Sequence, residues 1–383
     1  MAVTLAEVAV RAGVSPATVS RVLNGGYPVA GATRTRVEQA VEDLGYIANG
    51  PARALAAATS DLIGVLVHDV ADSFFGILAG ALQGALAPSG QGDARRLAVV
   101  CNTEGDPAAE LAYLALLEGQ RAGGVVLTGG AVEEPEHTRA LAARLARIAA
   151  TGAPVVLCGR PPLPMPAGLP VATVMFDDRA GAFRLTEHLL ALGHRRIAYV
   201  AGPPGLSTTR ERLAGHRDAL HDHDPALPER CAALTVHAGF ERSAGYDATR
   251  ELLRRGAPFT AVAAANDTVA TGVAAALREA GLRIPEDVSV AGFDDLPVCV
   301  DTAPPLTTVR VPLREAGVLA AQLVTGRRAL PPGGITMLPA ELMVRGSTAP
   351  PPTATTASNC APTPKSPCTP AVRGPTARPA CEP

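Results

Sequence analysis

From residue 62 onward, short apolar runs alternate with longer stretches in which apolar residues recur at helical spacing. This alternation is typical of βαβ units, in which helices cover both faces of a mostly parallel sheet. The runs are too many for one comfortable sheet, so we expect two α/β subdomains with a cleft between them. The predicted strands are Leu62–Val67, Leu97–Cys101, Gly124–Leu127, Pro154–Leu157, Val171–Phe176, Ile197–Val200, Leu234–His237, Ala261–Ala264 and Val288–Ala291, and examples of the helices are Pro107–Gly119, Asp178–Leu192 and Thr268–Ala280.

The first 57 residues instead predict short helices separated by turn signals. Thr4 and Glu7 have the spacing of a capping box, which marks the start of a helix. Gly13 interrupts this helix. Ser15 then caps a second helix with Pro16 at its first position, where the missing N–H costs nothing.

The second helix runs to about Leu23, and a third spans roughly residues 33–44. Two helices across a tight, glycine-containing turn are the pattern of a helix-turn-helix, although an ordinary helical hairpin has the same spacing. In a helix-turn-helix, the amino end of the second helix faces base edges in the major groove. The pattern places Ala9, Val14, Val19 and Leu23 inward and Pro16, Ala17 and Arg21 outward.

The overall charge excludes a basic protein that coats nucleic acid, because the formal net charge of the 383 residues is −2. The local balance differs, since the chain has four arginines and no acidic residue between positions 11 and 37. A small positive patch suits a compact DNA-binding module, because phosphate contacts supply most of the sequence-independent affinity. An ordinary solvated face would show the same charges.

Several other classes of protein find no support in the sequence. The amino terminus lacks a signal-peptide pattern, and no run of about 18 apolar residues predicts a membrane span. The seven cysteines are scattered without metal-ligand spacing, so we expect a reduced cytoplasmic protein with no metal and no cofactor. No nucleophile elbow, P-loop or dinucleotide fingerprint points to an enzyme.

Two amino-terminal segments, TLAEVAVRAGVSPATVSRVLNG at 4–25 and TRTRVEQAVEDLGY at 33–46, closely resemble the DNA-binding head of the LacI/GalR family. The resemblance continues to about residue 347 through motifs such as GHRRIAYVAG at 193–202 and IPEDVSVAGFDD at 284–295. It implies an all-α helix-turn-helix head. It also implies an α/β sensor like the periplasmic binding proteins, with two doubly wound parallel-sheet subdomains.

The resemblance also implies a division into domains. The expected parts are a helix-turn-helix domain at 1–47, a hinge helix or linker at 48–60, a ligand-binding and dimerisation domain at 61–348, and a tail at 349–383. We expect the N-subdomain at about 61–161 and 296–328, and the C-subdomain at about 162–295 and 329–348. The tail is rich in Pro, Thr, Ala and Ser, and we expect it to be disordered.

In the family, the second helix of the head reads bases, and a hinge helix wedges a leucine into the minor groove. Arg21 has the chemistry to pair with guanine, whereas Pro16 and Ala17 offer only apolar contact. Leu55 takes the wedge position, with Arg53 two residues before it, although a plain linker residue is the alternative. The resemblance implies phosphate contacts from Ser15, Thr18, Ser20 and Asn24.

The resemblance places a ligand site between the subdomains. Sugar sites combine a flat apolar wall with fork-shaped donors and carboxylate acceptors. Each candidate has a structural alternative: the first two phenylalanines as core, the arginines as salt-bridge partners, and the Asn-Asp pair as a helix cap. Gly159 stands where many relatives have aspartate, which leaves the sugar unidentified. The candidate residues are Phe74, Phe75, Arg160, Arg212, Phe240, Asn266, Asp267 and Asp294.

Together these features predict a sequence-specific transcription regulator. We expect a repressor that binds palindromic operator DNA as a homodimer and whose operator binding is controlled by a small carbohydrate-type effector. It would be cytoplasmic, associated with the nucleoid and without a membrane partner. The two competing hypotheses are a transport binding protein, which conflicts with the helix-turn-helix pattern, and an enzyme. The tail has no heptads, so we expect dimers rather than tetramers.

Overall fold

The computed structural model describes residues 3–24, 29–46, 60–87 and 96–352. The first two ranges contain three helices, which are α1 (Leu5–Ala12), α2 (Pro16–Asn24) and α3 (Gly31–Leu44). Their apolar faces meet in a small core in which Val8, Val19 and Val37 are fully buried. Three short helices around one apolar cluster are the architecture predicted for the amino-terminal region.

Local capping explains where α1 begins and ends. The Thr4 hydroxyl accepts a hydrogen bond from the backbone of Glu7 at 3.3 Å, and the Glu7 carboxylate accepts from the backbone of Thr4 at 2.6 Å. This reciprocal pair confirms the predicted capping box. Gly13 ends the helix with φ at 68°, a left-handed conformation that favours glycine.

The start of α2 also follows the predicted signals. Ser15 accepts a hydrogen bond from the backbone N–H of Thr18 at 3.2 Å, and Pro16 is the first helical residue. By contrast, α3 begins at Gly31, two residues before the predicted start, and none of the described side chains caps it. Because its first N–H groups lack a side-chain acceptor, local sequence signals mark this helix end poorly.

The first subdomain is built on a six-stranded sheet whose neighbouring strands all run parallel. Its strands are β1 (Leu62–Val67), β2 (Leu97–Asn102), β3 (Gly124–Thr128), β4 (Val155–Cys158), β5 (Val171–Phe176) and β11 (Ile335–Leu338), in the order β11-β5-β4-β3-β1-β2. The accompanying helices are α4 (Ser73–Ala85), α5 (Pro107–Gly119), α6 (Pro135–Ala150) and α13 (Leu313–Val324). The inner strands are almost entirely buried, because helices cover both faces of the sheet.

The second subdomain contains a four-stranded parallel sheet in the order β7-β6-β8-β9. Its strands are β6 (Ile197–Ala201), β7 (Thr235–His237), β8 (Ala261–Ala264) and β9 (Ser289–Ala291). Its helices are α7 (Asp178–Ala191), α8 (Ser207–His223), α9 (Leu227–Ala232), α10 (Arg242–Arg254), α11 (Asp267–Glu279) and α12 (Val298–Asp301). Two short strands, β10 (Thr308–Arg310) and β12 (Glu341–Met343), pair antiparallel, and a 3₁₀ turn at Pro332–Gly334 precedes β11.

All of the predicted strands are present, with ends that differ by at most one residue from the prediction. The predicted fold class is therefore confirmed: an all-α head is followed along the chain by parallel α/β subdomains. None of the described helices has the length and hydrophobicity of a membrane span.

The division between the subdomains differs from the predicted one. β5 pairs with β4 and β11 pairs with β5, so both strands belong to the first sheet rather than to the C-subdomain. Conversely, Cys299 and Leu306 lie in the predicted N-subdomain but pack in the core of the second sheet. The chain therefore crosses between subdomains after Phe176, near Val311 and after Leu338. Apolar periodicity identifies a strand but does not say which sheet it joins.

The folded chain also extends past the predicted tail boundary at residue 349. The backbone N–H of Ala349 donates to the Ser289 hydroxyl at 3.0 Å, and its carbonyl accepts from His194 Nε2 at 2.9 Å. These bonds hold residue 349 on the second subdomain, so the boundary is corrected to a later position. The predicted disorder of residues 353–383 lies outside the described residues.

Candidate functional site

A cavity of about 930 Å³ lies between the two subdomains, at the carboxyl ends of the strands of both sheets. Ligands of open α/β sheets bind at this end, and the volume is in the range of small-molecule sites. The predicted ligand-binding residues that line the cavity are Phe74, Phe75, Arg212, Phe240, Asn266 and Asp294. Arg160 and Asp267 do not line it.

Aromatic side chains face the cavity from both subdomains. Phe75 lies near the start of α4, edge-on to Phe74 with ring centroids 5.0 Å apart, and Phe240 follows β7. Each ring packs against a glycine. A Cβ atom added to Gly129 would lie 2.8 Å from Phe75, and one added to Gly202 would lie 2.5 Å from Phe240. The two glycines therefore make room for two flat apolar walls, the kind of surface on which a sugar ring stacks.

Arg212 on α8 occupies the centre of a buried polar network. Its Nε donates to Asp178 at 2.7 Å, and its Nη2 donates to Asp294 at 2.9 Å. Its Nη1 donates to the carbonyl of Ala265 at 2.7 Å, and its guanidinium lies 3.7 Å from the ring centroid of Phe293. A guanidinium has five N–H groups, so these bonds leave others for a molecule in the cavity. A salt-bridge role and a ligand role are therefore compatible.

Asp294 is buried and has a strained backbone, with φ at 105°. Such strain persists only where the surroundings hold it, and it clusters at ligand sites. Burial raises the pKa of Asp294 well above its usual range, although Arg212 opposes the shift. The negative charges of Asp267, Asp178 and Asp72 raise this pKa further. Asp294 is therefore a buried carboxyl group whose ionised form is stabilised by Arg212.

Asn266 and Asp267 have different roles, although they are neighbours. Asn266 lines the cavity while its side chain caps α11, accepting from the backbone of Val269 at 2.7 Å. Asp267 is fully buried, and its carboxylate accepts from the backbone of Leu296 at 2.8 Å and from the Thr308 hydroxyl at 2.5 Å. The predicted ligand contact of Asp267 is corrected accordingly. Its carboxylate oxygens instead connect the segments that contain Leu296 and Thr308.

Arg160 also has a structural position rather than the predicted one in the cavity. It is buried, and it donates to Glu110 at 2.8 Å and to the carbonyls of Thr128 and Gly129 at 3.1 and 3.2 Å. Glu110 in turn bonds His137 Nε2 at 3.0 Å. Arg160 therefore fixes the end of β3 and the following residue, Gly129, against which the Phe75 ring packs.

His68, Asn102 and Asp178 line the cavity but were not predicted. Burial lowers the pKa of His68 to about 4 and the charge of Arg160 adds to the effect, so its imidazole is neutral near pH 7. Asn102 accepts a hydrogen bond from the backbone of Val70 at 3.0 Å and so shapes the loop before α4. All three are polar residues at or just after the carboxyl end of a predicted strand, a signal that could have identified them.

Beside the cavity, direct contacts join the two subdomains. Val132 and Leu206 form an antiparallel bridge, and the backbone of Glu133 donates to the carbonyl of Gly205 at 2.8 Å. Arg210 on α8 donates from Nε to both carboxylate oxygens of Glu133, at 3.0 and 2.9 Å. A change in the angle between the subdomains has to alter these contacts.

In the head, the outward face of α2 matches the prediction. Pro16, Ala17 and Arg21 are exposed, and no acidic residue lies in the first turn. The hydroxyls of Ser15 and Thr18 bond each other at 2.9 Å at the amino end of the helix. The remaining predicted DNA contacts are Ser20, which is half-buried on α2, and the Asn24 side chain, Arg53 and Leu55, which lie outside the described residues.

A helix-turn-helix head followed by a ligand-sized cleft between two parallel-sheet subdomains defines a class of protein, the transcription regulators with a small-molecule sensor. Comparison with known families agrees. Residues 4–49 match the bacterial regulatory proteins of the lacI family, and residues 186–348 match the periplasmic binding protein-like domain.

Individual relatives extend the similarity over most of the chain. The HTH-type transcriptional regulator DegA of Bacillus subtilis (strain 168) is 31% identical over 355 residues, which cover 91% of this chain and 99% of DegA. The solved lac repressor dimer, bound to operator and the anti-inducer ONPF, has a TM-score of 0.71 and 29% identity, covering 91% of this chain and 100% of that one. The transcriptional regulator CelR–cellobiose complex has a TM-score of 0.61 and 31% identity, covering 90% and 99%. The chain belongs to the lacI family of bacterial regulatory proteins.

Proposed function

We propose that this chain is a repressor that binds a palindromic operator as a homodimer and leaves it when a saccharide occupies the cleft. The observation that carries the proposal is the cavity itself. It combines aromatic walls from both subdomains, Phe75 and Phe240, with a buried arginine that still has N–H groups for a ligand. The CelR–cellobiose complex, from a relative of the same fold, supports a sugar as the occupant.

On the DNA side, the second helix of the head would lie in the major groove. Arg21 would pair with a guanine, and Pro16 and Ala17 would contact apolar base edges such as a thymine methyl. Ser15, Thr18, Ser20 and Asn24 would contact phosphates. The hinge at 48–60 would complete the contact, with Leu55 as a minor-groove wedge and Arg53 beside it.

The dimer would form through the first subdomain. The exposed residues Gly76, Gly80 and Gly84 lie on one face of α4, where no atom of the described residues comes within 4 Å of an added Cβ. Edge strand β2 exposes Leu97 by 61% and Val100 by 41%. A small-residue helix face and an apolar edge strand in one subdomain support a contact with a second copy.

Coupling between the sites requires that the sugar bind one angle of the subdomains better than the other. The contacts of residues 131–133 with residues 205–210 lie beside the cavity, so a ligand that changes the angle would rearrange them. That rearrangement would alter the dimer face on the first subdomain and weaken the hold on the operator. The family consists of DNA-binding regulators, so we propose that the sugar leaves the cleft chemically unchanged and that the protein acts in the cytoplasm.

Sugar binding is tested with the purified full chain and a panel of mono- and disaccharides, followed by thermal shift and calorimetry. Phe240→Leu is expected to weaken the binding of the best sugar by about tenfold, because the flat wall is lost. Tyr246→Leu, an aromatic residue of the same subdomain outside the cavity lining, is expected to leave the affinity unchanged. Steady turnover of a sugar would contradict the proposal, as would equal losses in both variants.

A further inference from the structure

The lining of the cavity has an excess of negative charge. Among the described residues that line it, the one cationic side chain is Arg212, because the histidine there, His68, is neutral near pH 7. Against this one cation, the lining includes six acidic side chains: Asp69, Asp72, Glu104, Asp178, Glu241 and Asp294.

Arg212 is already shared by two of these carboxylates. Asp178 lies 2.7 Å from its Nε and Asp294 lies 2.9 Å from its Nη2. The other four carboxylates form no ion pair with any residue in the described ranges. An anionic group in the cleft would therefore meet surplus negative charge, and a like-charge contact of this kind is strongly unfavourable.

One of these four surplus carboxylates is Asp72. It is half-buried at the amino end of α4, where its Oδ1 accepts from the backbone of Phe74 at 2.9 Å. It therefore occupies a helix end that would otherwise attract an anion. The charge of Asp72 also raises the pKa of Asp294, which follows strand β9 of the second sheet. Both residues line the cavity, so the two carboxylates face the same volume from different subdomains.

We infer that the cleft excludes sugars with anionic groups and binds an amino sugar more tightly than the matching neutral sugar, with Asp72 receiving the ammonium group. This inference rests on the proposed function of the cleft as a sugar site. It narrows the effector to neutral and cationic saccharides, and it excludes sugar phosphates and uronic acids. Asp72 thereby becomes a residue that determines specificity by charge.

The experiment uses the purified full chain and matched sets of each sugar: the neutral form, its amino form, its 6-phosphate and its uronate. Calorimetry is expected to find binding only in the first two forms, with the amino form at least about threefold tighter at low salt. Because solvent-accessible charges are screened, this advantage is expected to shrink at about 0.5 M salt.

Asp72→Asn keeps the cap of α4, since asparagine caps a helix as well as aspartate does. It is expected to weaken the amino form about three- to tenfold while changing the neutral form little. Asp224→Asn is the matched control, because Asp224 also accepts from a backbone N–H two residues later, at 3.0 Å, but lies outside the cavity lining. It is expected to change neither affinity.

If a phosphate or uronate form binds more tightly than the neutral and amino forms, the inference is overturned, whereas the proposed sugar site is supported. An unchanged ratio of amino to neutral affinity in Asp72→Asn would also overturn it. If no saccharide of any form binds, the proposed sugar site itself is refuted, and the inference with it.

Discussion

Replacing Arg212 by methionine is expected to lower the free energy of unfolding by about 3–5 kcal/mol. The change leaves the buried carboxylates of Asp178 and Asp294 without their shared cation, and a buried charge without a partner is strongly destabilising. Urea denaturation followed by circular dichroism measures the loss. The same variant is expected to lose sugar binding, because the guanidinium that faces the cavity is gone.

The matched control is Arg179→Met, which removes an exposed ion pair with Asp218 between the neighbouring helices α7 and α8. Exposed pairs contribute little, so the urea midpoint of this control is expected to stay close to that of the unaltered protein. Adding Asp294→Asn to Arg212→Met is expected to restore part of the stability, since one of the two orphaned carboxyl groups is then replaced by a neutral amide. If Arg212→Met unfolds at the same urea concentration as the control, the network does not hold the subdomain as described.

Replacing Arg21 by alanine is expected to weaken binding to the selected operator about ten- to hundredfold. The expected cause is the loss of one bidentate contact to a guanine, which discriminates between bases. Binding to scrambled DNA of the same length is expected to change much less. Fluorescence anisotropy with both duplexes at a fixed salt concentration measures the ratio.

Arg36→Ala is the control for Arg21→Ala, because it removes the same charge from an exposed position on α3 rather than from the outward face of α2. A residue that contributes only charge is expected to weaken specific and non-specific binding alike. Equal losses on both duplexes in Arg21→Ala would contradict its assignment as a base-reading residue.

The parts of the fold that the sequence predicts well depend on local chemistry. Helix ends in the head are determined by residues a few positions apart, within one turn of helix. Examples are the capping box of Thr4 and Glu7, the helix end at Gly13 and the helix start at Pro16. Buried parallel strands are similarly visible, because both faces are covered and the run is uniformly apolar. By contrast, strands β5 and β11 belong to the first sheet because they pair with its strands, and β11 pairs with one that is far away in the sequence. Apolar periodicity contains no information about such pairing.

The same division holds for the site. Placement at the carboxyl end of a strand predicts which residues come near the cleft, and six of the eight candidates line it. It does not predict where a side chain points. Arg160 turns toward Glu110, a residue 50 positions earlier, and Asp267 turns toward Thr308, 41 positions later. Such partners are brought together only by the completed fold.

Control of sequence-specific DNA binding by a sugar is tested by selecting fragments of genomic DNA with the purified full chain, with and without a panel of sugars. We expect enrichment of palindromic fragments whose half-sites are separated by about one helical turn, and their release by one sugar or a few related sugars. Enrichment that no sugar changes, or that a sugar strengthens, would contradict induced release. A failure to enrich any palindrome under any condition would contradict the repressor account as a whole.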